Sequence, residues 1–73
     1  MKDEELFKLI GHNIRIERAI RNFTQARLAE MIDVHEKYIG IIEKGKQNIT
    51  LKTLNKIANT LNIELSRILN KKI

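Results

Sequence analysis

The sequence contains no cysteine and no proline, and its only aromatics are Phe7, Phe23 and Tyr38. Without cysteine no disulfide can brace the fold, and a reducing, cytoplasmic setting is expected. No apolar run approaches the roughly 18 residues of a membrane span. The start, Met1-Lys2-Asp3-Glu4-Glu5, is acidic where a secretory signal is basic and then apolar. Runs that alternate apolar and polar residues, as half-buried strands require, are missing. No glycine-rich phosphate loop occurs. His12 and His35 are the only histidines, and two histidines without cysteine have no zinc-site spacing. As general bases they would lie on different helices with no patterned partner, whereas catalysis needs converging groups. Neither an enzyme, a metal site, a cofactor nor a small-molecule ligand is expected.

What is present is helical periodicity and positive charge. The 73 residues suit one domain, 1–73, and a chain this short buries only about 60% of its unfolded surface, so its stability is modest. Fourteen Lys and Arg against nine Asp and Glu leave a charge of +5, which favours an anionic partner, with nucleic acid the first candidate. Between Glu36 and Lys56 stand Lys37, Lys44, Lys46, Lys52 and Lys56 against only two acids, Glu36 and Glu43. One face is therefore expected to be more basic than the rest.

Apolar residues spaced by three and four predict an all-α chain of five short helices. The first is expected after Asp3 as N-cap, with Phe7, Ile10 and Ile14 inward, ending near Arg21 and Asn22. Thr24 caps a second helix, from Gln25 to about Ile32, that buries Leu28, Ala29 and Ile32. Asp33 and Val34 break the chain, and a third helix runs from about His35 to Lys44, burying Ile39 and Ile42 until Gly45 stops it. Thr50 caps a fourth, with Leu51, Leu54, Ile57, Ala58 and Leu61 as its stripe and Asn62 at its end. A fifth, about Glu64 to Asn70, offers Leu65, Ile68 and Leu69.

Two helices separated by so short a break match a helix-turn-helix, about 24–45, in which the second helix enters the major groove and the first crosses the backbone. The stretches TQARLAEMI, YIGIIEKGK and TLKTLNKIANTLNI, in this order and spacing, resemble the phage-repressor and Cro-like family, also called the xenobiotic-response-element family. The resemblance covers roughly Gly11 to Leu69 and implies a compact five-helix, lambda-repressor-like fold. Arg15-Ile16-Glu17-Arg18 and GKQNITLKTL look most like the controller proteins of restriction–modification systems, with phage and plasmid repressors as rivals. The implied function is sequence-specific transcriptional regulation, on double-stranded DNA and as a homodimer.

By position the resemblance assigns base contacts to His35, Glu36, Lys37, Gly40 and Ile41. Lys can donate to guanine O6 and N7, a carboxylate can accept from cytosine N4, and an apolar side chain can meet the thymine methyl. It assigns backbone contacts to Thr24, Gln25, Tyr38, Lys44, Lys46 and Asn48, and a structural salt bridge to Arg18 and Glu43. Four departures stand out. Asp33 replaces the usual turn glycine, His35 is a weak cap for the third helix, and Gly40 leaves the recognition helix bare at its centre. Glu17 occupies a usually apolar position, which implies either a rotated first helix or a place at the core's edge.

Dimerisation is expected because the core is small and the last segment carries Ile63, Leu65, Ile68, Leu69 and Ile73. Leu65, Ile68 and Leu69 are the expected seam, with Ile68 in the interface and Leu65 or Leu69 facing inward. The other reading is an antitoxin or protein-interaction module. A compact antitoxin usually carries an extra toxin-covering segment, and no such tail is expected past the last helix.

Overall fold

A computed structural model describes residues 1–46 and 48–71. Among them are helices α1 Asp3–Ile20, α2 Gln25–Met31, α3 Glu36–Glu43, α4 Leu51–Leu61 and α5 Leu65–Leu69, and no strand. No helix among the described residues is long and apolar enough to cross a membrane.

The turns follow one local solution. Asn22, Asp33, Gly45 and Asn62 take the left-handed conformation, with φ of 59°, 59°, 69° and 58°. After each of them the next amide reaches back to the end of the preceding helix. Phe23 N donates to Arg18 O, Val34 N to Ala29 O, Lys46 N to Ile41 O and Ile63 N to Ala58 O, at 2.9 to 3.2 Å. This is the Schellman closure, which satisfies carbonyls the helix leaves unpaired. Only one of the four positions uses glycine; Asn and Asp tolerate the conformation at low cost.

At the other ends, Thr24 Oγ1 accepts from Arg27 N at 3.0 Å and Thr50 Oγ1 from Thr53 N at 3.2 Å. The start of α1 differs from expectation. Asp3 is its first helical residue, and Lys2 stands at the cap without a side-chain hydrogen bond. Asp3, Glu4 and Glu5 instead face the positive end of the helix dipole.

The core joins Ile10 and Ile14 of α1, Leu28 and Ala29 of α2, and Ile39 and Ile42 of α3 to Leu54, Ile57, Ala58 and Leu61 of α4. Ile32, Ile49 and Ile68 complete it. Two expected core residues fall short. Phe7 is only half-buried, and Leu51 is 72% exposed because its stripe begins in the first turn of α4, beyond the core. Periodicity selects a face, but not how far the rest of the fold reaches along it.

Three features of α1 were not expected. Gly11 is buried, and a Cβ there would lie 2.2 Å from Ile42 O and 2.8 Å from Glu43 O. Here the backbones of α1 and α3 meet. Asn13, also fully buried, donates through Nδ2 to Ile68 O at 2.6 Å and Asn70 O at 2.8 Å. One side chain of α1 thus satisfies the carbonyls at the end of the very short α5.

Glu17 is 1% exposed, so it is neither at the core's edge nor displaced by rotation. It accepts from Arg21 Nη1 at 2.9 Å and from Arg67 Nε of α5 at 3.0 Å. A buried carboxylate survives only when charge and hydrogen bonds replace the lost water, and the two arginines supply both. The clamp therefore ties α5 to α1.

Ile68 must also be reassigned. It is 0% exposed and packs in the core of a single chain, so it cannot form the expected seam between copies. Asn13 and Glu17 fix the short helix so that Ile68 points inward, while Leu65 is half-buried against the core and Leu69 is 37% exposed. The expected inward and outward roles on α5 are thus exchanged. Ile63 is half-buried, and Ile73 lies outside the described residues.

Candidate nucleic-acid interface

The left-handed Asp33 turns the chain between α2 and α3, and Val34 packs against the core behind it. The next residue, His35, stands at the N-cap of α3, where its Nδ1 accepts from Lys37 N at 3.1 Å. That bond requires an unprotonated Nδ1, so a neutral ring carries its proton on Nε2. The histidine therefore closes the helix start in the way Ser or Thr would, while remaining exposed.

From that start α3 divides into two faces. Ile39 and Ile42 enter the core, and Tyr38 is half-buried against it. Glu36 and Lys37 are exposed, Ile41 is 38% exposed, and Gly40 is half-buried. The outer residues meet α2 in a shallow concavity lined by Gln25, His35, Glu36, Lys37, Gly40, Ile41 and Lys44. All five residues expected to read bases thus gather on one surface, together with Gln25 and Lys44. Thr24, Lys46 and Asn48 are exposed but do not line it, nor does Tyr38.

Beneath this surface lies a charged buttress. Arg18 Nε donates to Glu43 Oε2 at 2.7 Å and Arg18 Nη2 to Glu43 Oε1 at 3.0 Å, a two-pronged pair of the strong kind. Arg18 Nη1 also donates to Phe23 O at 2.7 Å. The Arg18 side chain is 14% exposed and that of Glu43 only 3%. The hydrogen bond to Glu43, aided by its charge and opposed by burial, raises the Arg18 pKa above its already high ordinary value. The bridge locks α1, the turn after it and α3 into one unit.

A bond absent from sequence reasoning connects this buttress to the surface. Gln25 Nε2, in the first turn of α2, donates to Glu43 Oε1 at 3.0 Å. The two residues are 18 apart in the chain, and no local pattern pairs them.

The helix-turn-helix family matches residues 14–68, which contain the whole of this surface and the buttress under it. The chain belongs to the helix-turn-helix family. Among relatives, it is 34% identical over 67 residues to control protein C.SmaI of Serratia marcescens, covering 92% of this chain and 80% of that protein. It is 34% identical over 62 residues to the immunity repressor protein of Bacillus phage phi105, covering 85% of this chain but only 43% of the repressor. Among solved structures, the restriction-modification controller protein C.AhdI from Aeromonas hydrophila superposes with a TM-score of 0.81 at 27% identity. That match covers 85% of this chain and 94% of the controller. Within the family the all-helical fold is shared ground.

Proposed function

We propose that this chain is a DNA-binding transcriptional regulator that docks α3 in the major groove of a specific operator. The observation that carries the reading is the concave surface of Gln25, His35, Glu36, Lys37, Gly40, Ile41 and Lys44, formed where α2 meets α3. A net charge of +5 supplies attraction to the phosphates. Exposed donors and acceptors on α3 supply the means to tell base pairs apart. Gln25, which lines that surface beside α3, would hold a phosphate through its side-chain amide, the role that the resemblance assigns to it. Thr24, Lys44, Lys46, Asn48 and the hydroxyl of Tyr38 serve the backbone around it.

The relatives favour a controller of a restriction–modification system. The phage immunity repressor supports a second reading, a repressor of the same fold, in which α3 would work identically. Either regulator acts as a homodimer, because one recognition helix contacts too few base pairs to single out a site in a genome. With Ile68 in the core, Leu69 and the half-buried Leu65 are what remains of the expected seam to meet a second copy.

Lys37→Ala tests the role of α3. It is expected to cost about 1–3 kcal/mol on the preferred duplex and to relax preference at one position, as the loss of a base contact does. Equal weakening on preferred and random duplexes, measured by fluorescence anisotropy at fixed salt, would demote Lys37 to a phosphate contact.

A further inference from the structure

Glu43 belongs to two systems at once. Its Oε2 and Oε1 take the Arg18 guanidinium at 2.7 and 3.0 Å, and the same Oε1 takes Gln25 Nε2 at 3.0 Å. A carboxylate is only an acceptor, so the Gln25 amide must present its nitrogen to Glu43. The usual ambiguity of amide orientation is thereby removed by chemistry. Next to the amide lies Gly40, where a Cβ would come within 3.6 Å of Gln25 Oε1 and 3.9 Å of Nε2. The missing side chain at the centre of α3 therefore leaves the amide uncovered on the concave surface that it helps to line.

We propose that Glu43 is a positioning residue for DNA recognition, acting through Gln25. Held from behind by Arg18, the carboxylate fixes the Gln25 amide before DNA arrives. One N–H of Nε2 is spent on Glu43, which leaves the second N–H and the carbonyl Oε1 for the duplex. The N–H can donate to a phosphate oxygen, and Oε1 can accept from adenine N6 or cytosine N4 beside Gly40. Ordering a glutamine side chain in advance removes an entropic cost that binding would otherwise carry. The Arg18–Glu43 pair is then more than a staple between helices, since it sets the geometry of a group on the reading surface.

The inference rests on the DNA-binding reading, and the test separates the two. Duplex affinity is measured at fixed salt for the unaltered chain, Gln25→Ala, Glu43→Gln and the double variant, on the duplex best retained from a random pool. Helicity at the assay temperature is checked by circular dichroism. A neutral amide in place of the Glu43 carboxylate no longer dictates which end of the Gln25 amide faces it. Glu43→Gln is therefore expected to weaken binding about tenfold in the unaltered background, and by less than about twofold where Gln25 is already alanine, the non-additivity of groups that act through one another. The same loss in both backgrounds would overturn the positioning role while leaving DNA binding intact. Absence of any preferred duplex for the unaltered chain would overturn the sequence-reading function, and this inference with it. If Glu43→Gln fails to fold, relaxation of the Gln25 side-chain amide in the unaltered chain decides. An order parameter near about 0.8 is the expected result, and one below about 0.6, the flexible range, overturns the proposal.

Discussion

Gly11→Ala is expected to cost about 3 kcal/mol or more and to leave the chain largely unfolded well below the melting temperature of the parent. In an exposed helix the same change would stabilise by about 1 kcal/mol, because alanine is the better helix former. Here the new Cβ would stand 2.2 Å from Ile42 O, 2.8 Å from Glu43 O and 2.9 Å from Glu43 C. These are backbone atoms with no rotamer to change, so α1 must lift away from α3. The lift would also strain the Arg18–Glu43 bridge, since Glu43 is one of the residues struck. A chain of this size has on the order of 4–11 kcal/mol of stability in total, so little remains after the loss. The melting temperature should fall by roughly 12 °C or more, at about 4–8 °C per kcal/mol for a small domain. Gly40→Ala is the internal control. Its Cβ would meet only Gln25, at an ordinary 3.6 Å, so its melting temperature should hold or rise. An unchanged melting temperature for Gly11→Ala would show that the helices do not pack this closely.

Arg18→Ala is expected to destabilise by about 3–5 kcal/mol, the range for removing one partner of a buried pair. Three hydrogen bonds are lost together, two to Glu43 and one to Phe23 O. The larger cost is the carboxylate left behind, whose side chain is only 3% exposed and keeps Gln25 as its remaining partner. Removing both members should cost less than the sum of the single changes, because the double variant strands no charge. A double-mutant cycle with Glu43→Ala, followed by urea unfolding, reads the coupling. Near-zero coupling would mean that the bridge is an exposed contact of little consequence.

The contrast between these two positions shows what the sequence can carry. Arg18 and Glu43 were legible through the family resemblance, whereas Gly11 was not. A glycine inside a helix has no local mark that separates a close approach from a mere weakness; only the carbonyls of Ile42 and Glu43, distant in the chain, give it meaning. Apart from the start of α1, the helix ends were legible because caps and left-handed residues act within a few positions. Thr24, Thr50, Asn22, Asp33, Gly45 and Asn62 all do what their side chains favour locally.

The same distinction explains α5. Leu65, Ile68 and Leu69 announce an apolar face, but their spacing cannot say which of them the core takes. That choice falls to Asn13 and Glu17, 55 and 50 residues away from their partners, which hold the end and the side of α5. Glu17 misled for a related reason. An acid in a core position reads as an exception until Arg21 and Arg67 are seen on either side of it. On the candidate site, the outward residues of α3 were legible only through the resemblance, while the Gln25–Glu43 bond was a product of tertiary packing alone.

The central claim is that α3, presented by a paired molecule, reads one DNA sequence. Selection of binding sites from a pool of random duplexes, with sequencing of the retained fraction at moderate salt, tests it most directly. The account predicts enrichment of a two-fold symmetric site whose half-sites are centred about 34 Å, or one helical turn, apart. Retention of duplexes with no enriched sequence would contradict it, leaving only a basic surface that holds DNA without reading it.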